Sequence, residues 1–202
     1  MTGHWVAFRQ ALFAVVLLAF VLFPARALHA QQLQFDLDPS QTQVNFTLGA
    51  SLHTVHGSFK LKAGRISFDS KTGVAAGEVV VDATSGETGI DARDRKMHRE
   101  VLESPRYPEI VFVPERVEGT IAPGAPFSVR VSGKIRIHGG EHEVTIAAQV
   151  EPSAGQLIAT AQFTVPYQDW GLKNPSTFLL RVSNEVDVEV HVVGRLSTAA
   201  LR

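Results

Sequence analysis

The chain has 202 residues, 45% of them hydrophobic, and its 19 Lys and Arg against 20 Asp and Glu leave a net charge of −1. That balance excludes a basic nucleic-acid-binding surface, so no nucleic-acid partner is expected. There is no cysteine, which excludes disulfides, thiol chemistry and a lipid-anchored N-terminal Cys.

The N-terminus reads as an export signal. Arg9 precedes an unbroken apolar run from Ala11 to Phe23, which Pro24 ends. Ala25-Arg26-Ala27 and Leu28-His29-Ala30 then offer small residues for cleavage after Ala27 or Ala30. The run is short of the roughly 20 residues that span a bilayer as a helix. Residues 1–30 are therefore expected to be a signal peptide, with an uncleaved anchor as the alternative, and the protein to be periplasmic or secreted. Residues 31–202 form one domain, large enough for its own core.

From about Leu33 the apolar residues recur with period two. Val44, Phe46 and Leu48 alternate with Asn45, Thr47 and Gly49, and Phe59 and Leu61 with Lys60 and Lys62. The same holds for Phe127 to Val131, Ile135 and Ile137, Val144 to Val150, and Val186 to Val192. Such alternation marks antiparallel strands with one buried and one wet face. About eight are expected, separated by turn-forming stretches at 69–73, 119–126, 138–140 and 152–155. One-faced strands over this length favour closure into a barrel, which removes exposed edges. The fold class is thus all-β, an antiparallel eight-stranded barrel. A single segment, 91–103, has helical spacing, with Asp91 as its N-cap and Pro105 as its limit. This short helix is expected to act as a lid or plug. An eight-stranded barrel is filled by side chains or holds one small ligand, and here that ligand would be apolar.

Several stretches together resemble the YceI-like family of polyisoprenoid-binding periplasmic barrels. They are Val44-Asn45-Phe46-Thr47-Leu48 with His53 to Phe59, then Thr88 to Asp94 with His98 and Tyr107-Pro108-Glu109-Ile110-Val111-Phe112, and Gly133 to Gly139. Tyr167 to Leu172 is a weaker match. The likeness runs from about Phe35 to Leu196. It implies a lipocalin-like barrel with a long apolar tunnel that holds an isoprenoid, either a polyprenyl compound or a quinone, for transport, storage or stress response. No other cofactor is implied. The chain departs from the family pattern at Val101-Leu102-Glu103-Ser104, Gly140 to Glu143 and Pro166-Tyr167-Gln168.

On this basis Phe46, Leu48, Phe59, Phe68, Phe112 and Phe163 are candidate tunnel residues, although any single one of them is more often plain core than a ligand contact. Arg93, Asp94 and His98 on the helix are candidates for contact with a head group. The guanidinium fork of Arg93 suits a phosphate or quinone oxygen, but the same residues could simply fix the helix to the barrel rim. Trp170 is a candidate barrel-end plug or ligand-stacking residue. The histidines show no spacing that would converge three or four metal ligands, so no metal site is expected. No nucleophile elbow or phosphate-binding glycine loop occurs. Two other readings stay open: a lipid-acting periplasmic enzyme that uses His98 with Asp94, and a solidly packed barrel that acts through its surface. The expected partner is an apolar lipid, with transient membrane contact, and the protein is expected to be a monomer or homodimer.

Overall fold

The computed structural model describes residues 31–178 and 180–198. The segment read as an export signal, 1–30, lies outside the described residues. The strands are β1 (Gln32–Leu37), β2 (Gln43–Leu48), β3 (Val55–Asp69), β4 (Ala75–Glu87), β5 (Glu109–Glu118), β6 (Phe127–Ile137), β7 (Gly140–Ser153), β8 (Gln156–Val165) and β9 (Val186–Thr198). All pairings are antiparallel, and the contact of β3 with β4 closes the ring.

Among the described residues, nine strands make eight staves. β1 and β2 both lie between β3 and β9, β1 against residues 65–69 and 194–198, β2 against 55–59 and 187–191. They are two halves of one stave, interrupted at Asp38–Thr42. Asp38 holds that break: its carboxylate accepts the Ser40 N–H at 2.9 Å and the Gln41 side-chain amide at 2.6 Å. Val193 of β9 bridges the gap, since its carbonyl accepts the Asp38 N–H and its N–H reaches Thr42 Oγ1.

The inner face follows the sequence alternation except at bulges. On β3 a register shift between Leu61 and Ala63 reverses parity, so that Phe59 and Leu61, then Ile66 and Phe68, all point inward. A second shift, between Pro114 and Arg116 on β5, does the same for Phe112 and Val117. The proline sits fully buried at that bulge, the kind of strand position at which a missing N–H is tolerated. Phenylalanine rings also cover glycines on neighbouring strands. A Cβ on Gly57 would stand 2.3 Å from the Phe46 ring, and one on Gly194 would stand 2.7 Å from the Phe35 ring.

The 91–103 segment is helical as α1 (Asp91–Lys96), which continues as one π-type turn through Met97–Val101. Two details differ from expectation. Ile90, not Asp91, is the N-cap residue: its carbonyl accepts the Arg93 and Asp94 N–H groups, and Asp91 sits inside the first turn. The helix also stops at Val101, because Glu103 adopts a left-handed conformation (φ 46°) that ends it two residues before Pro105.

The exposed turns depend on ionised carboxylates. Asp69 Oδ1 accepts the backbone N–H groups of Lys71 (2.9 Å) and Thr72 (2.7 Å) between β3 and β4. These bonds, that to Thr72 foremost, hold its pKa below 3.8, and hydrogen bonds from Ser40 and Gln41 do the same for Asp38. A carboxylate whose pKa is lower in the folded state stabilises the fold above its unfolded pKa and ceases to do so as pH falls through the folded one. Thermal melting is accordingly expected to move to lower temperature as pH falls below 3.8 and through the lower folded-state value, with Asp69→Asn losing part of that pH dependence. A melting curve at each pH checks this.

Candidate functional site: an apolar tunnel with one polar mouth

The staves do not pack shut. A cavity of about 670 Å³ runs along the barrel axis and is lined almost wholly by apolar side chains. At one end the lining is Phe35, Leu37, Phe68, Ile121, Phe127 and Leu196. Midway it is widened by Ala148, Ala159 and Ala161 on β7 and β8. At the helix end the wall turns polar, with His53, Thr88, Arg93 and Lys96 beside Ile90 and Trp170.

That end is closed in part by a plug. Leu102, Val165, Tyr167 and Leu172 are buried together, with Met97, Val101, Phe163 and Trp170 packed against them. The Tyr167 hydroxyl donates to the Ser183 carbonyl at 2.5 Å, and burial raises its pKa above the ordinary phenol value. Trp170 stacks flat on His142, with ring centroids 4.4 Å apart.

Two polar clusters pin the helix over the opening. At its start, Asp94 Oδ1 accepts both the backbone N–H (3.0 Å) and the hydroxyl of Thr88. Arg93 donates to the same residue, from Nε to Oγ1 at 2.7 Å and from a terminal nitrogen to the carbonyl at 2.9 Å. Farther along, His98 Nε2 lies 2.9 Å from the Gly86 carbonyl and Nδ1 2.8 Å from Ser104 Oγ. A carbonyl only accepts, so Nε2 carries the hydrogen that bonds Gly86. Gly86 also lets Phe59 and Met97 pack against the strand, since a Cβ there would meet the Phe59 ring at 2.5 Å and the Met97 methyl at 2.9 Å. Lys96 Nζ reaches across to the Pro175 carbonyl at 3.0 Å, tying the helix to the loop beyond Leu172.

The structure brings Phe46, Leu48, Phe59, Phe68, Phe112, Phe163, Arg93 and Trp170 to the cavity wall. Asp94 and His98 are not on it. Of the two roles open to them, head-group contact or fixing the helix to the rim, their hydrogen bonds to Thr88, Gly86 and Ser104 serve the second. Sequence reasoning passed over Thr88, Lys96 and His53. Lys96 follows Arg93 by three residues, a spacing that places both on one side of a helix, and was the available signal.

The YceI-like domain family matches residues 35–194. No curated protein matches the sequence significantly. Among solved structures, the chain resembles BcnA of Burkholderia cenocepacia at 17% identity and a TM-score of 0.65, covering 78% of this chain and 99% of that one. It resembles a polyisoprenoid binding domain from Saccharophagus degradans at 20% identity and a TM-score of 0.63, covering 81% and 98%. The YCEI protein of Campylobacter jejuni aligns at 16% identity and a TM-score of 0.58, covering 75% and 88%. Those likenesses agree on the barrel, and the family match spans nearly the whole of it: the chain belongs to the YceI-like family.

Proposed function

We propose that this protein is an exported, non-catalytic binding protein that holds one long isoprenoid, a polyprenyl compound or a quinone, in its barrel. The observation that carries the reading is the tunnel itself: long, apolar along nearly all its length, with its basic lining residues His53, Arg93 and Lys96 gathered at the helix end. Its volume lies in the usual range for ligand pockets. Burial contributes roughly 0.8 kcal/mol for each methylene-sized unit, so a few isoprene units exceed an association cost of about 4–15 kcal/mol. The polar residues at the helix mouth then need only orient a head group. An open interior argues against a barrel that works solely through its surface. The engagement of Asp94 and His98 in helix anchoring argues against their use as an acid–base pair. The resemblance to a structure described as a polyisoprenoid binding domain supports the ligand class.

Trp170 lines the cavity and is the sole tryptophan of residues 31–202, so its emission reports occupancy. Titrating ligand-free protein with a polyprenyl phosphate, and separately with a quinone carrying the same tail, should give saturable changes. Lys96→Glu is expected to weaken the phosphate by about tenfold while the neutral quinone is held nearly as before, because the substitution reverses a charge at the mouth. No saturable response to either compound would refute the tunnel as an isoprenoid site.

A further inference from the structure

Four large apolar side chains stand exposed among the described residues: Leu52 (76%), Val74 (56%), Ile90 (52%) and Phe178 (96%). Three of them ring the helix mouth. Leu52 lies between β2 and β3, Ile90 immediately before α1, and Phe178 in the segment between Leu172 and β9. These segments are tied to one another: the Ser51 N–H donates to the Arg181 carbonyl at 2.8 Å, Ala50 bridges to Val182, and Lys96 bonds Pro175. Val74 stands apart, in the turn between β3 and β4. From these placements we infer that the helix mouth is a docking face for a lipid bilayer, into which Leu52, Ile90 and Phe178 insert.

Two further features fit this occupant. Ile90 is half exposed and also lines the cavity, so one apolar side chain reaches from the outer surface into the tunnel. Charge is also unevenly spread. Residues 49–54, 87–107, 166–178 and 180–185 hold seven basic and seven acidic side chains, whereas the remaining described residues hold nine and thirteen. An anionic membrane surface repels the acidic body and tolerates the mouth, which turns the mouth toward the lipid. The apolar residues sit on separate loop tips, a form suited to entering the head-group layer. Docking gives the carrier reading its route, since an isoprenoid could pass from the bilayer to the tunnel past Ile90. The purpose of docking rests on that reading, while the contact itself can be measured independently.

The test uses protein recovered from the soluble exported fraction, its N-terminus sequenced, and floated with vesicles of phosphatidylcholine and phosphatidylglycerol at 3:1. The wild type should partition onto them. Leu52→Ser/Phe178→Ser, which changes two side chains outside the cavity wall, should partition at least tenfold less with unchanged melting and unchanged isoprenoid content. Partitioning equal to the wild type, or a wild type that stays off protein-free vesicles, would overturn the inference; the latter would point to a protein partner at this face. Isoprenoid content in the same preparations separates the two ideas. Retained isoprenoid without vesicle binding removes docking alone, and vesicle binding without isoprenoid upholds docking and removes the carrier.

Discussion

Ala161→Trp is expected to cut isoprenoid retention by about a hundredfold or more while the barrel stays folded. Ala161 faces the tunnel midway along β8, paired with Ala148 on β7 and Val190 on β9. An indole placed there enters open space and displaces ligand before it displaces wall. Losing two isoprene units, about ten carbons at roughly 0.8 kcal/mol each, removes about 8 kcal/mol of burial. A third of that is already close to a hundredfold, at about 1.4 kcal/mol per decade. Gln162, the next residue, is exposed on the outer face, so Gln162→Trp should leave retention unchanged. Extraction and quantification of bound lipid from both variants checks the prediction. Equal retention in Ala161→Trp would mean that the ligand, if there is one, does not pass the middle of the barrel.

The second large effect is on exchange. Asp94→Ala leaves the Thr88 N–H and hydroxyl without their acceptor and frees one end of the helix from the rim. Loss of a half-buried acceptor that serves two donors costs about 1–3 kcal/mol. The helix covers the opening, so most of that cost lowers the free energy needed to lift it. Dissociation of a bound isoprenoid into acceptor vesicles is then expected to accelerate by about tenfold or more. Affinity should fall less than the rate rises, because the tunnel wall is untouched. Asp94→Asn keeps one oxygen acceptor and should lie between the two. An exchange rate that does not change would show that ligand leaves by another path.

Much of this architecture was legible as alternation. The inward Val, Ile and Phe of β6, β7 and β9 follow from period two alone, and one-faced strands in that number favour closure. What alternation could not show were the places where the ladder slips. Phe59 and Phe68 have opposite parity in the sequence yet share the inner wall, because a bulge after Leu61 reverses the face. The break at Asp38–Thr42, which splits one stave into β1 and β2, depends on a side-chain hydrogen-bond cluster and not on hydropathy.

The site was legible in its apolar part and less so in its polar part. Phenylalanines on strand faces must line whatever the barrel encloses. The helix, by contrast, offers Arg93, Asp94, Lys96 and His98 within one and a half turns, and sequence does not say which of them face the cavity. Folding assigns Asp94 and His98 to Thr88, Gly86 and Ser104, and brings Arg93 and Lys96 to the wall. The loop from Leu172 to β9 carries no period at all. Its role in the mouth comes from hydrogen bonds to Ser51 and Lys96 that are distant in sequence.

The central claim, that the tunnel carries an isoprenoid, is tested most directly by native mass spectrometry of the protein purified without detergent from the cells that produce it. The account predicts a discrete mass above that of the polypeptide, which organic extraction releases as a polyprenyl compound or quinone and which Ala161→Trp lacks. A bare polypeptide mass that stays bare after incubation with isoprenoids would contradict it.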